Sequence, residues 1–138
     1  MKKVLFLCTH NSARSQIAEG WTKALFPNEY EVYSAGTKPT KINDLAIKVM
    51  KEARVDIGRQ SAKGINQFKN QKFDLVVTLC DSAKEDCPIF PGAKKSAHHT
   101  FPDPSAANKI STFREVRDQI KEFVLKELPA IQTSATAA

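Results

Sequence analysis

The stretch Val4-Leu5-Phe6-Leu7-Cys8-Thr9-His10-Asn11-Ser12-Ala13-Arg14-Ser15 decides the fold of this chain. It opens on an uninterrupted apolar run, which is typical of a parallel strand buried on both faces. Beyond it, apolar residues recur at helical spacing, at Ile17, Ala18, Trp21, Ala24 and Leu25. A loop that joins a strand to a helix N-terminus directs several backbone N–H groups at one point, where the helix dipole adds positive potential. The stretch therefore predicts a loop that binds an anion.

Three side chains give this loop its chemistry. The Arg14 guanidinium is a planar fork of donors that suits a tetrahedral oxyanion. Cys8 is expected to be present partly as the nucleophilic thiolate, and the Ser15 hydroxyl is placed to donate a hydrogen bond to it. The sequence thus indicates a cysteine nucleophile beneath an anion held by Thr9, His10, Asn11, Ser12, Ala13, Arg14 and Ser15. The plainer alternative is a small buried cysteine beside an ordinary surface arginine.

Length and composition limit the class of protein. The chain has 138 residues, 41% of them hydrophobic, and five glycines, which argues against disordered and fibrous classes. We predict a single domain over residues 1–131 and a flexible tail over residues 132–138. No apolar stretch has the ~20 residues of a membrane helix, and the apolar run after Met1-Lys2-Lys3 is too short for a signal peptide. These features predict a cytoplasmic protein without membrane association.

The charge balance favours a small anionic ligand over a nucleic acid. Lysine and arginine number 21 against 15 acidic residues, a formal net charge of +6. The basic residues are interleaved with acids, as in Arg114-Glu115-Val116-Arg117-Asp118, and form no stripe with stacking aromatics. We therefore expect no nucleic-acid partner.

The remaining pattern predicts alternating strands and helices. Further strands are predicted at Glu31–Ala35, Asp74–Leu79 and, more weakly, Ser96–Thr100. A helix with Asn43 as its N-cap precedes the third strand, and a last helix begins at a Thr112/Glu115 capping box and ends at Pro129. Such an order implies an α/β three-layer sandwich around a four-stranded parallel sheet. Ligands bind at the carboxyl ends of such strands, where Cys8 and Cys80 both lie.

The second and third cysteines, Cys80 and Cys87, form the next candidate site. Three cysteines in a reducing compartment argue against a structural disulfide framework. On an intact helix the seven-residue spacing would rise ~10.5 Å, too far for a disulfide, so a bond between them requires the segment to loop or unwind. That makes the segment a candidate redox switch. Two alternatives remain: inert structural cysteines, or a zinc site built from Cys80, Cys87, His98 and His99.

Asp103 is the candidate general acid. It stands between Pro102 and Pro104, which restrict the backbone toward extended geometry. A carboxyl on such a loop is well placed to protonate an oxygen that leaves an anion bound at Cys8. The alternative is a simple turn aspartate.

Cys8 through Ser15, the Asp103-Pro104 pair and the element order together resemble the low-molecular-weight tyrosine phosphatase fold. Within it, the run Asn11–Gln16 and the strand ending Val76–Cys80, with Cys87 beyond, resemble the thioredoxin-coupled arsenate reductases. The paired tyrosines familiar in the phosphatases are absent, since Asp103-Pro104 is followed by Ser105-Ala106-Ala107.

The resemblance implies a three-cysteine relay that reduces arsenate for arsenic detoxification. Cys8 attacks arsenic with Asp103 as the acid, Cys80 attacks Cys8 and releases arsenite, and Cys87 then forms a Cys80–Cys87 disulfide for thioredoxin. Phosphate or sulfate would compete with arsenate. It also implies a monomer that needs no flavin, nicotinamide or metal.

Two points stay open beside that resemblance. Some family members bind potassium through residues matched here by Asn11, Glu19 and Ser34, but Lys63 stands where an aspartate is expected. Its charge can replace the cation. The alternative functions are a tyrosine or small-phosphoester phosphatase that uses Cys8, Arg14 and Asp103, and a non-enzymatic anion-binding or thiol-interaction protein.

Overall fold

The computed structural model describes residues 1–80 and 89–133. Its centre is a four-stranded sheet of β1 (Lys2–Cys8), β2 (Tyr30–Gly36), β3 (Phe73–Thr78) and β4 (Ala93–His98). The strands lie in the order β2-β1-β3-β4, and every neighbouring pair is parallel. This confirms the predicted parallel α/β sheet.

The helices of the described chain are α1 (Arg14–Leu25), α2 (Asp44–Glu52), α3 (Ile110–Glu122) and α4 (Leu128–Thr133). A 3₁₀ turn covers Ile65–Phe68, and one turn of π-helix at Phe123–Glu127 joins α3 to α4. Asn43 caps α2 as predicted, because its Oδ1 accepts hydrogen bonds from the backbone N–H groups of Leu45 and Ala46. Among the described residues, no helix combines the length and apolar character needed to cross a membrane.

The buried side chains divide between the two faces of the sheet. One core packs the inward residues of α1, α2 and α3 against Val4 and Phe6 of β1. The other contains Leu5 and Leu7 of β1 and is covered, in the described part of the chain, by aromatic residues of the 3₁₀ turn and nearby loops, including Phe68 and Phe90. Successive residues of β1 point to opposite faces of the sheet, and both faces are covered, which explains why the whole run is apolar.

The two predicted ends of the last helix were wrong. α3 begins at Ile110 with Lys109 as its N-cap and no side-chain capping bond, so the Thr112/Glu115 capping box does not form. The Ile110 side chain packs against the main core, which stabilises an earlier start. Pro129 does not end the helix, because the π turn shifts the register and Leu128 N donates to Phe123 O. Pro129 then lies in the first turn of a new segment, where a missing N–H is tolerated.

Other boundaries differ from the predictions by a few residues. β4 covers Ala93–His98 rather than the predicted Ser96–Thr100. Its first half contains lysines, as is common in edge strands, and therefore lacks the apolar alternation from which a strand is predicted. α4 includes Gln132 and Thr133, which the prediction assigned to the tail. Residues 134–138 and 81–88 lie outside the described part of the chain, and with them Cys87 and the predicted switch segment.

Candidate active site

The anion loop lies between the last residue of β1, Cys8, and the first residue of α1, Arg14. Gly36, at the end of the neighbouring strand β2, pairs with Cys8 and lies directly against the loop. A Cβ atom at this position would come within 2.5 Å of the Thr9 carbonyl oxygen and 2.8 Å of the Asn11 nitrogen. The close approach of the two backbones therefore requires glycine at position 36.

A cavity of about 180 Å³ opens above this loop. It is lined by Cys8, His10, Ser12, Ala13, Arg14, Thr40, Asp103 and Ser105. The lining holds one thiol, one guanidinium, one imidazole, one carboxylate and three hydroxyls, and among the described residues it has no phenylalanine, tyrosine or tryptophan. The structure thus brings Cys8, Arg14 and Asp103, which the sequence separates by up to 95 positions, to one small polar space.

The Cys8 thiol is buried and free. Its Sγ atom lies 2.9 Å from Ser15 Oγ, the contact expected from the sequence. Because Cys8 ends a strand and Ser15 lies in the first turn of α1, the dipole of this 12-residue helix also acts at the sulfur. A hydroxyl and a helix N-terminus therefore both face the thiol.

Arg14 and Asp103 form the opposite wall. Arg14 is 3% exposed; its Nη1 donates to Phe101 O at 3.4 Å and its Nη2 lies 3.8 Å from Asp103 Oδ2. Asp103 Oδ1 instead accepts hydrogen bonds from Ser105 N at 3.0 Å and Ser105 Oγ at 2.6 Å. Oδ2 is therefore the carboxyl oxygen on the guanidinium side.

Cys80 lies at the same edge of the sheet as Cys8. It follows β3, where Leu79 N donates to Leu7 O, one residue before Cys8 in β1. Its side chain is fully buried and disulfide-bonded. Cys8 remains a free thiol, so this disulfide does not involve Cys8.

The zinc alternative finds no support in the residues described. Within residues 1–80 and 89–133, no three His, Cys, Asp or Glu side chains are grouped to hold a metal ion. His98 contacts the hydroxyls of Thr78 and Thr100 through its two ring nitrogens, at 2.6 and 3.0 Å. His99 instead faces Glu127 at 3.4 Å, and its ring packs at a tilt of 46° against Phe123.

The three residues matched to a potassium site contact one another directly. Asn11 Nδ2 donates to Ser34 Oγ at 2.9 Å, and Ser34 Oγ donates to Glu19 Oε1 at 2.5 Å. Two ammonium groups already lie at the Glu19 carboxylate, with Lys23 Nζ 2.6 Å from Oε2 and Lys63 Nζ 3.7 Å from Oε1. The pKa of Lys63 is lowered, chiefly by burial and against the attraction of Glu19. With its amide hydrogens facing inward and its carboxylate already paired, this set does not fit a potassium ion.

The similarity of this chain to known proteins agrees with the geometry of the site. A family model described as low molecular weight phosphotyrosine protein phosphatase matches residues 3–136. An arsenate reductase of Halalkalibacterium halodurans is 47% identical over 124 residues, which cover 86% of this chain and 89% of that protein. Arsenate reductase 2 of Staphylococcus epidermidis is 45% identical over 123 residues, covering 89% of this chain and 93% of that protein.

Solved structures show the same likeness. An arsenate reductase in the phosphate-binding state superposes with a TM-score of 0.84 at 33% identity, over 95% of this chain and 99% of that one. Wzb of Vibrio vulnificus in complex with benzylphosphonate superposes with a TM-score of 0.77 at 22% identity, which shows a shared fold.

Proposed function

Because this chain belongs to the low molecular weight phosphotyrosine protein phosphatase family, in its arsenate reductase branch, we propose that it reduces arsenate to arsenite through a relay of three cysteines. The observation that carries the proposal is the placement of a free Cys8 thiol and the Arg14 guanidinium around a 180 Å³ polar cavity, with Cys80 at the same sheet edge. A cavity of this size and polarity suits an inorganic tetrahedral oxyanion.

The first step is attack of the Cys8 thiolate on arsenic. The loop N–H groups and Arg14 hold the arsenate oxygens and neutralise their charge. A sulfur–arsenic bond forms as an arsenic–oxygen bond breaks, and Asp103 gives its Oδ2 proton to the departing oxygen, which leaves as water. Phosphate and sulfate share the geometry of arsenate and would compete for the loop.

The second step transfers two electrons. Cys80 attacks the Cys8 sulfur, the electron pair of the sulfur–arsenic bond moves to arsenic, and arsenite leaves as a Cys8–Cys80 disulfide forms. Cys87 then attacks Cys80 and releases Cys8 as thiolate, so that arsenic keeps the two electrons and the oxidised state of the enzyme becomes a Cys80–Cys87 disulfide. A free Cys8 together with a disulfide-bonded Cys80, as found here, is the combination that this final state requires.

A dithiol reductant of the thioredoxin type would return the enzyme to its starting state by thiol exchange. The Lys63 ammonium would supply the positive charge beside Glu19, so that potassium is not required.

Variants in which one of the three cysteines is replaced by serine test the relay. Cys8→Ser should abolish arsenate reduction and aryl phosphate hydrolysis, since both need the same thiolate. Cys80→Ser and Cys87→Ser should eliminate catalytic arsenate reduction yet spare slow aryl phosphate hydrolysis, which ends with water rather than a disulfide. Arsenite formation coupled to thioredoxin oxidation measures the first activity, and nitrophenol release measures the second. Catalytic turnover of arsenate by Cys80→Ser would refute the relay.

The second candidate is a phosphatase acting on small phosphoesters. Cys8, Arg14 and Asp103 suffice for phosphoryl transfer, and they share the cavity. The described part of the lining offers an aryl group no phenylalanine, tyrosine or tryptophan to pack against, so we expect hydrolysis to be slow and to depend weakly on the ring of the leaving group.

A further inference from the structure

The side-chain amide of Asn11 has one possible orientation in this structure. The backbone N–H of Lys63, which can only donate, lies 2.8 Å from one end of the amide, so that end is Oδ1. The other end, Nδ2, therefore faces the hydroxyls of Ser15 and Ser34, at 2.8 and 2.9 Å. A flipped amide would place donor against donor at Lys63.

This orientation determines where the Ser15 hydrogen goes. Ser15 Oγ accepts the hydrogen bond from Asn11 Nδ2, and its own hydrogen is then free to point at Cys8 Sγ, 2.9 Å away. Ser15 and Asn11 are both fully buried, so water does not compete for these groups. A hydroxyl held as a donor is the partner that a thiolate sulfur, which can only accept, requires.

Gln16 reinforces the orientation from the other side. It is fully buried, and its Nε2 donates to Asn11 Oδ1 at 2.9 Å, to Asn11 O at 3.0 Å and to Ser61 O at 2.9 Å. Asn11 has φ 51°, a left-handed conformation that is costly for residues other than glycine. Gln16 thus holds both the strained backbone and the amide of the same residue.

Gln60 fixes Gln16 in turn. Gln60 Nε2 donates to Gln16 Oε1 at 2.8 Å and to Gln16 O at 3.1 Å. With its oxygen occupied by Gln60, Gln16 presents its nitrogen to Asn11. A chain of directed hydrogen bonds therefore runs from half-buried Gln60 to the Cys8 sulfur.

Resting on the proposed nucleophilic role of Cys8, we propose that Gln16 is a positioning residue that locks the Asn11 amide, makes Ser15 a hydrogen-bond donor to Cys8, and so sustains the thiolate. Gln16 touches neither the anion nor the sulfur, and it acts through Asn11 and Ser15. Its loss should weaken thiolate formation while leaving the reactivity of a fully ionised thiol unchanged.

The test is the pH dependence of Cys8 alkylation by iodoacetamide in the reduced full-length protein, with Cys8 followed by peptide mass spectrometry. Gln16→Met keeps the side-chain length and removes the donor. We expect its alkylation rate at pH 6 to fall about three- to tenfold below wild type, the scale of one hydrogen bond, with equal rates at pH 9. Gln119→Met, the same change on an exposed face of α3, should match wild type at both pH values.

Two results would overturn the proposal: an unchanged ratio of the pH 6 and pH 9 rates, or faster alkylation at both, which a merely loosened loop would give. If Gln16→Met does not fold, Gln60→Met should lower the pH 6 rate at least twofold, and an unchanged ratio in that variant overturns the proposal too. Alkylation needs no arsenate. A wild-type protein that fails to reduce arsenate would therefore refute the proposed function while leaving this result to stand or fall separately.

Discussion

Arg14 and Asp103 lie side by side in one wall of the candidate active site, with Nη2 and Oδ2 3.8 Å apart. The guanidinium is buried, whereas the carboxylate side chain is 33% exposed. An anion held by Arg14 would therefore lie beside the carboxyl group that the proposed mechanism uses as general acid.

Asp103→Asn should lower kcat for arsenate reduction by about 10²-fold or more, the scale of general acid catalysis. Phosphate inhibition should be retained or slightly stronger, because a negative charge beside the anion is removed. Steady-state kinetics with phosphate as inhibitor measures both. A kcat within threefold of wild type would remove Asp103 from the acid role.

Ser105→Ala should lower kcat about three- to tenfold with little change in KM, because Asp103 Oδ1 loses a 2.6 Å hydrogen bond that helps to aim Oδ2. The backbone N–H of residue 105 still donates to Oδ1, so the loss should be smaller than in Asp103→Asn. Ser111→Ala, at an exposed position in the first turn of α3, is the matched control and should behave as wild type. Equal kcat in both variants would contradict the orienting role of Ser105.

Gly36→Ala should weaken phosphate and arsenate binding at least tenfold, because the added methyl group would lie 2.5 Å from the Thr9 carbonyl oxygen and must displace the loop. Gly64→Ala is the control, since its added Cβ would meet only Pro39 Cγ at 3.7 Å, an ordinary contact. Equilibrium binding of phosphate, with circular dichroism to confirm folding, separates the two. Wild-type affinity in a folded Gly36→Ala protein would show that the loop does not need this close approach.

The sequence predicted the local part of this architecture well. The anion loop is one continuous run from Cys8 to Ser15, and the Asn43 cap depends only on the next three residues, so both follow from short-range spacing. The shared edge of Cys8 and Cys80 follows from parallel topology alone.

The contacts that the sequence did not predict are long-range. Gly36 lies beside the loop only because β2 pairs with β1, and Thr40 reaches the cavity from the segment after β2. The continuation of the helix past Pro129 depends on a π turn, whose register shift no propensity indicates. Ser105 carries a local signal, since a serine two residues after an aspartate often bonds to it.

The pH dependence of stability can be tested at Asp74, which joins β3 to the start of β1. The pKa of Asp74 is lowered, first because the backbone N–H of Lys3 donates to its carboxylate at 2.8 Å and then because Lys94 lies nearby. A lowered pKa means that the carboxylate stabilises the fold above the ordinary pKa of 3.8 and that this contribution is lost as pH falls through the lowered value.

Asp74→Asn should therefore reduce the free energy of unfolding by about 1 kcal/mol at pH 7, and the difference from wild type should shrink as the pH falls below the ordinary pKa of 3.8. Urea denaturation at pH 7, 5 and 3 measures it. Lys94→Met removes only the exposed partner and should change stability by less than about 0.5 kcal/mol. A difference that grew as the pH fell would show that the sign is wrong.

The charge of Lys63 gives the last prediction. Its Nζ lies 3.7 Å from Glu19 Oε1 and donates to Ser61 O, and its side chain is only 17% exposed. Wild-type arsenate reduction should proceed equally in potassium and sodium chloride at matched ionic strength.

Lys63→Ala leaves Glu19 Oε1 and Ser61 O without the ammonium that they share, and removes a charge from the network that reaches Asn11 through Ser34. Its kcat in sodium chloride should fall about two- to fivefold, and potassium should restore part of the loss by taking the place that the ammonium leaves between Glu19 Oε1 and Ser61 O. Lys23→Ala, which removes the more exposed partner of Glu19, should show no preference between the two salts. Faster turnover of the wild-type enzyme in potassium than in sodium would mean that Lys63 does not take the cation's place.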